Sequence, residues 1–361
     1  MLIGVLGGGQ LGRMLALSGI PLGLRFRFFD PATECPAAAV GEHVCAPWDD
    51  HAALDTFAKG LDAATFEFEN VPASTLAFLA SRVPVRPGPL ALERGQDRLD
   101  EKRFFESCGL SVHPYRSAST LDEFERATRE IGLPCVAKTR RMGYDGKGQA
   151  VIRHASEITP AWHALGERPL LVEQFIPFES EASIIGVRGV GGEIRTYPLT
   201  ANVHRGGILR VSSAPATGLD PSLERAAATH VRAVLDALDY VGVLAIEFFV
   251  AQGRLLANEF APRVHNSGHW TIEGACTSQF ENHVRAVAGL PLGDASLRAG
   301  PCVMVNIIGE RPDAQALLGV PGLHLHDYGK AARPGRKIGH ATLLPPPQGW
   351  ERHPAVAALM A

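Results

Sequence analysis

Short apolar runs alternate with amphipathic segments along the first hundred residues. The runs LIGVLG, RFRFFD, EHVCA, AATFEFE and VPVR are rich in β-branched or aromatic residues, which is typical of strands. Between them, QLGRMLALSG and HAALDTFAKG have helical character. Strands that alternate with helices predict a parallel sheet covered by helices. We therefore expect a Rossmann-like α/β domain in this part of the chain.

The pattern changes to α+β after the first hundred residues. Residues 96–110 predict an amphipathic helix, several predicted hairpins follow, and another helix is predicted over residues 223–240. The last seventy residues are rich in Pro and Gly, as expected of a small cap. The predicted domains are residues 1–96, residues 97–290 with a smaller lobe at about 113–180, and residues 291–361.

Two glutamates lie in neighbouring apolar runs. Glu247 is in the run 241–250, Glu259 is in the run 255–261, and the turn-like AQGR separates them. A β-hairpin would bring the two carboxylates to nearly facing positions, with Asn258 beside Glu259. Buried carboxylates that lie close together repel each other and favour a compensating cation, and oxygen ligands suit Mg²⁺ (or Mn²⁺). The alternative is an edge hairpin with both glutamates in water.

A glycine-rich segment, RRMGYDGKGQ at residues 140–149, lies between two short apolar runs. The pattern predicts a strand, a turn and a strand. Its three glycines let backbone N–H groups approach an anion closely, and Lys138 just before it could reach a phosphate. The segment has no Walker A pattern, so it would be a different kind of phosphate loop. The alternative is a flexible hairpin tip with solvated charges.

Composition narrows the class of protein. The 361 residues are 46% apolar and 20% charged, which is ordinary for a globular enzyme of two or three domains. A net charge of −3 argues against a general nucleic-acid surface. No apolar run approaches the roughly 20 residues that span a membrane. The six cysteines form no CxxC pair, so we expect reduced thiols in a cytoplasmic protein.

The N-terminus offers a competing hypothesis. Gly7, Gly9 and Gly12 form GxGxxG after a predicted strand, and Asp30 ends the next strand. This is the outline of a dinucleotide-binding fingerprint, so an NAD(P) oxidoreductase is an alternative. Against it, NAD binding would leave the glycine-rich segment and the two glutamates without explanation. The same glycines could hold another phosphate, or let a helix and a strand pack closely.

Several motifs together resemble the ATP-grasp superfamily. They are Lys138, GYDGKGQ, VEQFI, Glu181, Glu247 and the dipeptide at 258–259. Within that superfamily the chain resembles the 5-(carboxyamino)imidazole ribonucleotide synthase family, through GGGQLGRM, PLTANVHRGGILR, NEFAPRVHNSGHW and RPGRKIGH. The resemblance runs from residue 4 to about 341. It implies an ATP-grasp fold, and an enzyme of purine biosynthesis that joins bicarbonate to aminoimidazole ribonucleotide with ATP.

The resemblance also implies a role for individual residues. Arg98 and Lys138 would contact the phosphates of ATP, Glu181 the ribose, and Glu247 and Glu259 would bind the metal. The strand from Glu173 to Ile176 would hold adenine. The full set of expected ATP-binding residues is Arg98, Lys138, Gly143, Tyr144, Asp145, Gly146, Lys147, Gly148, Gln149, Glu173, Gln174, Phe175, Ile176, Glu181, His204, Asn258 and Glu259.

The second substrate is expected at a separate group of polar residues. Arginine forks suit phosphate oxygens, and amides and hydroxyls suit the imidazole edge. Glu67 and Glu69 are further candidates for its ribose or amine. The residues implied by the resemblance are Tyr144, Asp145, Arg263, His265, Asn266, Ser267, Lys330 and Arg336, of which Asp145, Lys330, Arg263 and His265 are expected nearest the chemistry.

The implied mechanism passes through carboxyphosphate, because bicarbonate is a poor electrophile until one oxygen becomes a leaving group. Asp145 would orient the attacking amine or take its proton, and Lys330 would stabilise the carboxylate-like intermediate. The resemblance also suggests a homodimer. The alternatives are another ATP-grasp ribonucleotide ligase or transformylase, and a non-catalytic nucleotide-binding regulator.

Overall fold

The N-terminal residues form a parallel sheet in this computed structural model, which describes residues 1–143 and 148–360. The strands are β1 (Leu2–Leu6), β2 (Arg25–Phe29), β3 (Glu42–Val44) and β4 (Ala63–Phe66). Their order is β3-β2-β1-β4, and each pair is parallel, as predicted. The run VPVR makes only an isolated parallel bridge, between Val85 and Ala64. The helices are α1 (Gln10–Gly19), α2 (His51–Ala58), α3 (Ala73–Ala80) and α4 (Pro89–Gly95).

A small antiparallel sheet follows the predicted amphipathic helix. The helix is α5 (Arg98–Ser107), and it buries Phe104 and Phe105 as its apolar spacing predicts. The sheet order is β5-β8-β6-β7, and α6 and α7 pack against it. The elements are β5 (Tyr115–Ala118), α6 (Leu121–Ile131), β6 (Cys135–Thr139), β7 (Gln149–Ile152), α7 (Ile158–Ala164) and β8 (Leu170–Gln174).

A large antiparallel sheet carries the two glutamates. Its strand β9 lies between β13 and β11, and β10 pairs with the end of β9. Both faces of β13 are largely buried, which explains its nearly continuous apolar sequence. The elements are β9 (Ser180–Arg188), β10 (Ile194–Thr196), β11 (Thr200–Arg205), β12 (Ile208–Ala214), α8 (Pro221–Ala237), β13 (Gly242–Ala251) and β14 (Arg254–Ala261).

The C-terminal strands extend the same large sheet. Strand β15 pairs with β12 over Val211–Ala214, and β17 then lies between β15 and β16. The sheet order is therefore β14-β13-β9-β11-β12-β15-β17-β16. The remaining elements are α9 (Thr271–Gly274), α10 (Gln279–Ala288), β15 (Cys302–Ile308), α11 (Ala314–Leu318), β16 (Leu323–Asp327), β17 (Lys337–Leu343) and α12 (Pro354–Met360).

One apolar core connects the N-terminal sheet with the large sheet. Helix α10 packs against α1 on one side and against β13 on the other, and Phe280 and Val284 are fully buried there. His283 on the same helix bonds both sheets: its Nε2 lies 2.8 Å from Oγ1 of Thr65, and its Nδ1 accepts from the N–H of Val243 at 3.1 Å. Within the described residues, no helix is both long and apolar enough to cross a bilayer.

The buried position of His283 predicts acid-sensitive stability. Burial lowers the pKa of His283 to about 3, whereas an unfolded histidine has a pKa of about 6.5. Its contribution to stability is therefore complete above the unfolded pKa and is lost as the pH falls toward the folded one, at about 1.4 kcal/mol per pH unit. The melting temperature of His283→Gln should depend less steeply on pH than that of the wild type.

Exposed His353 provides the control for this measurement. His353→Gln should leave the pH dependence of the melting temperature unchanged between pH values of about 7 and about 4. An equally steep dependence in His283→Gln and in the wild type would contradict the assignment.

Candidate active site

A cavity of about 800 Å³ opens between the N-terminal sheet, the β13–β14 hairpin and the C-terminal residues 330–337. Glu247, Glu259, Arg263, His265 and Lys330 all line it. Residues that are far apart in sequence therefore meet in one concave site, as expected of a ligand pocket.

The two glutamates face each other across the hairpin, as predicted. Glu247 is the register partner of Glu259, and a β-bulge follows between Glu247 and Phe248. Burial and the charge of Glu259 raise the pKa of Glu247. Burial acts in the same direction on Glu259, but the Arg98 guanidinium, 2.9 Å away, holds the pKa of Glu259 below its usual range. The site thus carries a repelling carboxylate pair with one direct arginine partner.

Helix α5 holds the strand that carries Glu259. Residues 98, 101 and 102 occupy one helix face because they are three and four positions apart. Arg98 bonds Glu259, and a carboxylate oxygen of Glu101 accepts from the N–H of Phe260 at 2.7 Å. Lys102 Nζ donates to the carbonyl of Asn258 at 2.7 Å. One turn of helix therefore fixes three successive residues of β14.

Lys102 also closes a polar ring that includes Lys138. Its Nζ lies 3.2 Å from Oε1 of Glu173, and Oε2 of Glu173 lies 2.5 Å from Nζ of Lys138. Lys138 donates to the side-chain oxygen of Asn258 at 3.4 Å, and the backbone carbonyl of Asn258 accepts from Lys102, which closes the ring. The ring joins α5, β8, β6 and β14. It therefore sets where Lys138 lies relative to the glutamate pair.

The ring brings two lysines and one carboxylate together in a buried position. The side chains of Lys102 and Glu173 are 1% and 2% exposed. Burial opposes ionisation of Glu173, but Lys102 and Lys138 outweigh it and hold its pKa well below the usual range. Burial lowers the pKa of Lys102, and burial with the nearby Lys102 charge lowers that of His113, whose Nε2 lies 3.0 Å from Glu173. The Glu173 carboxylate therefore forms ion pairs with both Lys102 and Lys138.

The glycine-rich segment is attached to the same helix. Strands β6 and β7 flank it as an antiparallel pair, as predicted. Asp97 caps the start of α5 and accepts two hydrogen bonds from Arg140, at 2.9 and 2.8 Å. Gly143 lines the cavity, and the carbonyl of Gly148 accepts from Thr139 at 2.8 Å. The predicted site residues Tyr144, Asp145, Gly146 and Lys147 lie outside the described residues.

The predicted adenine strand ends earlier than expected. Strand β8 stops at Gln174 and β9 begins at Ser180, so Phe175 and Ile176 lie in an irregular connection between two sheets. The N–H of Gln174 donates to the carbonyl of Pro114 at 2.9 Å. Glu173 pairs with strands on both sides, and its carboxylate belongs to the polar ring. The adenine site stays a prediction for this segment.

Glu181 and His204 bond each other. Nδ1 of His204 lies 2.9 Å from Oε2 of Glu181. Burial lowers the pKa of His204, but the hydrogen bond to Glu181 and the charge of Glu247 raise it overall. The Glu181 carboxylate, which the resemblance assigns to the ribose of ATP, therefore contacts a histidine in this structure.

Most residues expected to bind the second substrate do meet in the cavity. Arg263 pairs with Glu69 at 2.9 Å, and Lys330 Nζ donates to Oε1 of Gln10 at 2.6 Å. Burial and the nearby Arg336 lower the pKa of Lys330 to about 8. Burial, Arg263 and Lys337 lower the pKa of His265 to about 3. Arg263, His265, Asn266, Lys330 and Arg336 line the cavity.

Two of these residues are engaged inside the protein. Asn266 exchanges amide hydrogen bonds with Asn306 at 2.9 and 2.8 Å. Ser267 is fully buried, and its hydroxyl lies 2.8 Å from that of Ser183 and 2.9 Å from Nδ1 of His265. The direct substrate contact predicted for Ser267 therefore does not fit its position. The sequence did not indicate which side of the turn this hydroxyl occupies.

The N-terminal glycines already have anionic partners. The N–H of Gly8 donates to Asp30 at 2.7 Å, and the N–H of Gly9 donates to Glu67 at 2.8 Å. Burial raises the pKa of Glu67, and the bond from Gly9 opposes that rise. A dinucleotide pyrophosphate would need these amides and would meet two carboxylates. This geometry argues against the NAD(P) alternative.

Four polar residues are among those of the site that were not predicted from the sequence. Gln10 and Glu101 line the cavity, whereas Lys102 and His113 complete the polar ring. For Glu101 and Lys102 there was a signal, the charged face of the 96–110 helix that they share with Arg98. Gln10 and His113 lie outside that helix. Partners from distant strands could not be identified from that spacing alone.

Matches to protein families agree with this architecture. Residues 103–280 match the ATP-grasp domain, residues 1–96 the ribonucleotide synthetase preATP-grasp domain, and residues 302–348 the phosphoribosylaminoimidazole carboxylase C-terminal domain. The fold and these matches define an ATP-grasp protein.

Two similar proteins identify the family within the ATP-grasp proteins. The N5-carboxyaminoimidazole ribonucleotide synthase of Pseudomonas aeruginosa is 50% identical over 95% of this chain and 94% of its own. The crystal structure of the synthetase from Thermus thermophilus is 53% identical, with a TM-score of 0.90 over 94% of this chain and 93% of its own. The chain belongs to the N5-carboxyaminoimidazole ribonucleotide synthase family.

A further solved structure contains ligands. The N5-carboxyaminoimidazole synthase of Aspergillus clavatus, in complex with ADP and 5-aminoimidazole ribonucleotide, is 32% identical to this chain. Its TM-score is 0.92 over 99% of this chain and 98% of its own.

The polar ring predicts that Glu173 is essential for stability. Glu173→Gln would leave two buried ammonium groups without a carboxylate, which typically costs about 3–5 kcal/mol. We expect a large fall in the melting temperature. The control is Glu167→Gln, which removes an exposed pair with His163 and should change stability by less than about 1 kcal/mol. Equal melting temperatures of the two variants would contradict the assignment.

Proposed function

We propose that this protein carboxylates 5-aminoimidazole ribonucleotide with bicarbonate, using ATP, to give N5-carboxyaminoimidazole ribonucleotide, ADP and phosphate. The observation that carries the proposal is that a carboxylate pair and a group of cations line the same cavity. Glu247 and Glu259 line one part, and Arg263, Lys330 and Arg336 line another. Family membership and the ligands of the Aspergillus relative support the same reaction.

The nucleotide phosphates are proposed to bind beside the polar ring. Arg98 and Lys138 would contact them, and the glycine-rich segment would close over them and exclude water from a hydrolysable intermediate. Because the ring shares one carboxylate between two ammonium groups, it offers net positive charge to an anion. The remaining ATP contacts predicted from the sequence, including those of Glu181 and His204, are part of this proposal.

Glu247 and Glu259 are proposed to hold Mg²⁺ or Mn²⁺, with Asn258 beside them. The residues fit such an ion, because two facing carboxylates supply hard oxygen ligands and burial has raised the pKa of Glu247. Among residues 1–143 and 148–360, no group of three or more His, Cys, Asp or Glu is placed to hold a metal. Magnesium commonly uses one or two carboxylates together with water and phosphate oxygens. When bound, the ion would neutralise charge on the transferred phosphoryl group.

The chemistry is proposed to proceed in two steps. A bicarbonate oxygen attacks the γ-phosphorus of ATP, so that ADP leaves and carboxyphosphate forms. The amine then attacks the carboxyl carbon of carboxyphosphate, so that phosphate leaves, or it attacks CO₂ that carboxyphosphate has released together with phosphate. By either route the amine loses a proton. Asp145 would orient the amine or take that proton, and Lys330 would stabilise negative charge on the carboxylate. Arg263 and Arg336 would hold the ribonucleotide phosphate through their fork-shaped donors.

The assembly of the protein is proposed from the resemblance, and its location from the pattern of its cysteines. We propose a homodimer that acts in the cytoplasm. Light scattering of the purified protein at several concentrations tests the first part, because a stable dimer keeps about twice the monomer mass on dilution.

The reaction itself is tested by ADP release. With Mg-ATP and bicarbonate, adding 5-aminoimidazole ribonucleotide should strongly increase ADP release, and omitting bicarbonate should abolish that increase. Replacing bicarbonate with formate or an amino acid is the control, because another ATP-grasp ribonucleotide ligase would respond to one of these. Stimulation by those acids, but not by bicarbonate, would favour that alternative function.

Lys102 provides a test of the nucleotide site. In Lys102→Met, Glu173 would pair with Lys138 and His113 alone, so Lys138 would be held more tightly and the ring would lose positive charge. We expect ADP to bind about tenfold more weakly, or about 1.4 kcal/mol, in a calorimetric titration. The control is Arg103→Met at the adjacent exposed position, which should bind ADP like the wild type. Unchanged affinity in Lys102→Met would contradict the role of the ring.

A further inference from the structure

A continuous chain of buried hydrogen bonds ends at His265. The hydroxyl of Ser212 donates to Oδ1 of Asn202 at 2.8 Å, and Nδ2 of Asn202 donates to Ser183 Oγ at 2.8 Å. Ser183 donates to Ser267 at 2.8 Å, and Ser267 Oγ lies 2.9 Å from Nδ1 of His265. The chain crosses β12, β11 and β9. Its hydroxyls and amide are buried, so water does not compete for these bonds.

The direction of the chain is determined at its histidine end. The backbone N–H of Ser267 points at Nδ1 of His265 at 3.3 Å, so Nδ1 accepts and does not carry a proton. The Ser267 hydroxyl must then donate to Nδ1, which leaves its oxygen to accept from Ser183. Ser183 must in turn accept from the amide of Asn202, and Asn202 from Ser212. If the Asn202 amide were reversed, every donation would reverse and a proton on Nδ1 would face the N–H of Ser267.

The other ring nitrogen faces the glutamate pair. Nε2 of His265 lies 3.5 Å from Oε1 of Glu247, and His265 lines the cavity. Ser183 is also the register partner of Glu247 on the adjacent strand. The chain of hydrogen bonds therefore lies next to Glu247 at two points: at Ser183, its partner on the adjacent strand, and at the ring of His265.

We propose that Ser212, Asn202, Ser183 and Ser267 are positioning residues that keep the proton of neutral His265 on Nε2. His265 then presents a hydrogen-bond donor to Glu247 and to the cavity, and it does not act as a base. This inference deepens the proposed function and rests on it for its chemical meaning, but the position of the proton can be measured without any reaction.

A neutral chain suits this position better than a carboxylate would. A carboxylate behind Nδ1 would stabilise imidazolium, and a cation at Nε2 would compete with a metal ion for Glu247. Hydroxyls and an amide fix the tautomer without adding charge. The sequence therefore uses buried, polar but uncharged residues at positions 183, 202 and 212 of the large sheet and at position 267 in the turn that follows β14.

The experiment is two-bond ¹H–¹⁵N NMR of the metal-free, ligand-free protein with ¹⁵N-labelled histidine, in which His265→Gln identifies the signals of His265. The two tautomers are distinguished because protonated and unprotonated ring nitrogens resonate far apart. The wild type should show a protonated Nε2. Asn202→Asp should move the proton to Nδ1, because a carboxylate accepts from both Ser212 and Ser183 and so reverses every donation between Ser183 and His265.

Two further variants complete the test. Ser183→Ala should raise the fraction of the Nδ1-protonated tautomer above that of the wild type, because the Ser267 hydroxyl no longer accepts from Ser183 and only the backbone N–H of Ser267 still opposes a proton on Nδ1. This variant decides the matter if Asn202→Asp does not fold. Ser180→Ala on the same strand is the control, because the Ser180 hydroxyl has no hydrogen-bond partner among the described residues. It should retain the wild-type tautomer. A proton on Nδ1 in the wild type, or an unchanged tautomer in Ser183→Ala and Asn202→Asp, would overturn the proposal whether or not the enzyme carboxylates its proposed substrate.

Discussion

The architecture depends on placing carboxylates where water cannot solvate them. An isolated buried carboxylate is too costly to stay ionised, so each must receive an ammonium group, a guanidinium group or backbone N–H donors. Glu173 lies between Lys102 and Lys138, and Arg98 compensates Glu259. Glu101 accepts from the N–H of Phe260, but burial still raises its pKa to about 8. These bonds connect the small sheet, α5 and the hairpin, so the same compensation that stabilises the charges also arranges the site.

The N-terminal GxGxxG turn also provides donors to carboxylates of the protein. A GxGxxG turn at the end of a first strand offers backbone amides to an anion. Here, Asp30 and Glu67 supply that anion from within the protein. The turn therefore binds carboxylates of the protein itself. Gln10, at the start of α1, contacts Lys330 across the cavity. The GxGxxG motif determines the backbone conformation of the turn, whereas the neighbouring side chains determine which anion its amides bind.

Local features of the site could be predicted from the sequence, whereas long-range partners could not. The facing glutamates follow from hairpin register, and the helix over residues 96–110 follows from apolar spacing. Lys102 and Glu173 are 71 residues apart in sequence, and no periodicity relates them. Ser267 was predicted to contact the second substrate, but its hydroxyl is buried against Ser183 of β9, and the local sequence does not determine that packing. Family resemblance supplied the ligand assignments that spacing left open.

The continuity of the large sheet has a consequence for the integrity of the chain. Strands β15, β17 and β16 extend the sheet beyond β12, so the residues around Lys330 and Arg336 are joined to the glutamate hairpin by one backbone ladder. A chain shortened before Cys302 would expose β12 as a bare edge with unpaired N–H and C=O groups, and such edges promote aggregation. The C-terminal segment therefore cannot be removed without exposing β12. Replacing it with the segment of a relative would require the new β15 to pair with β12 in the same register.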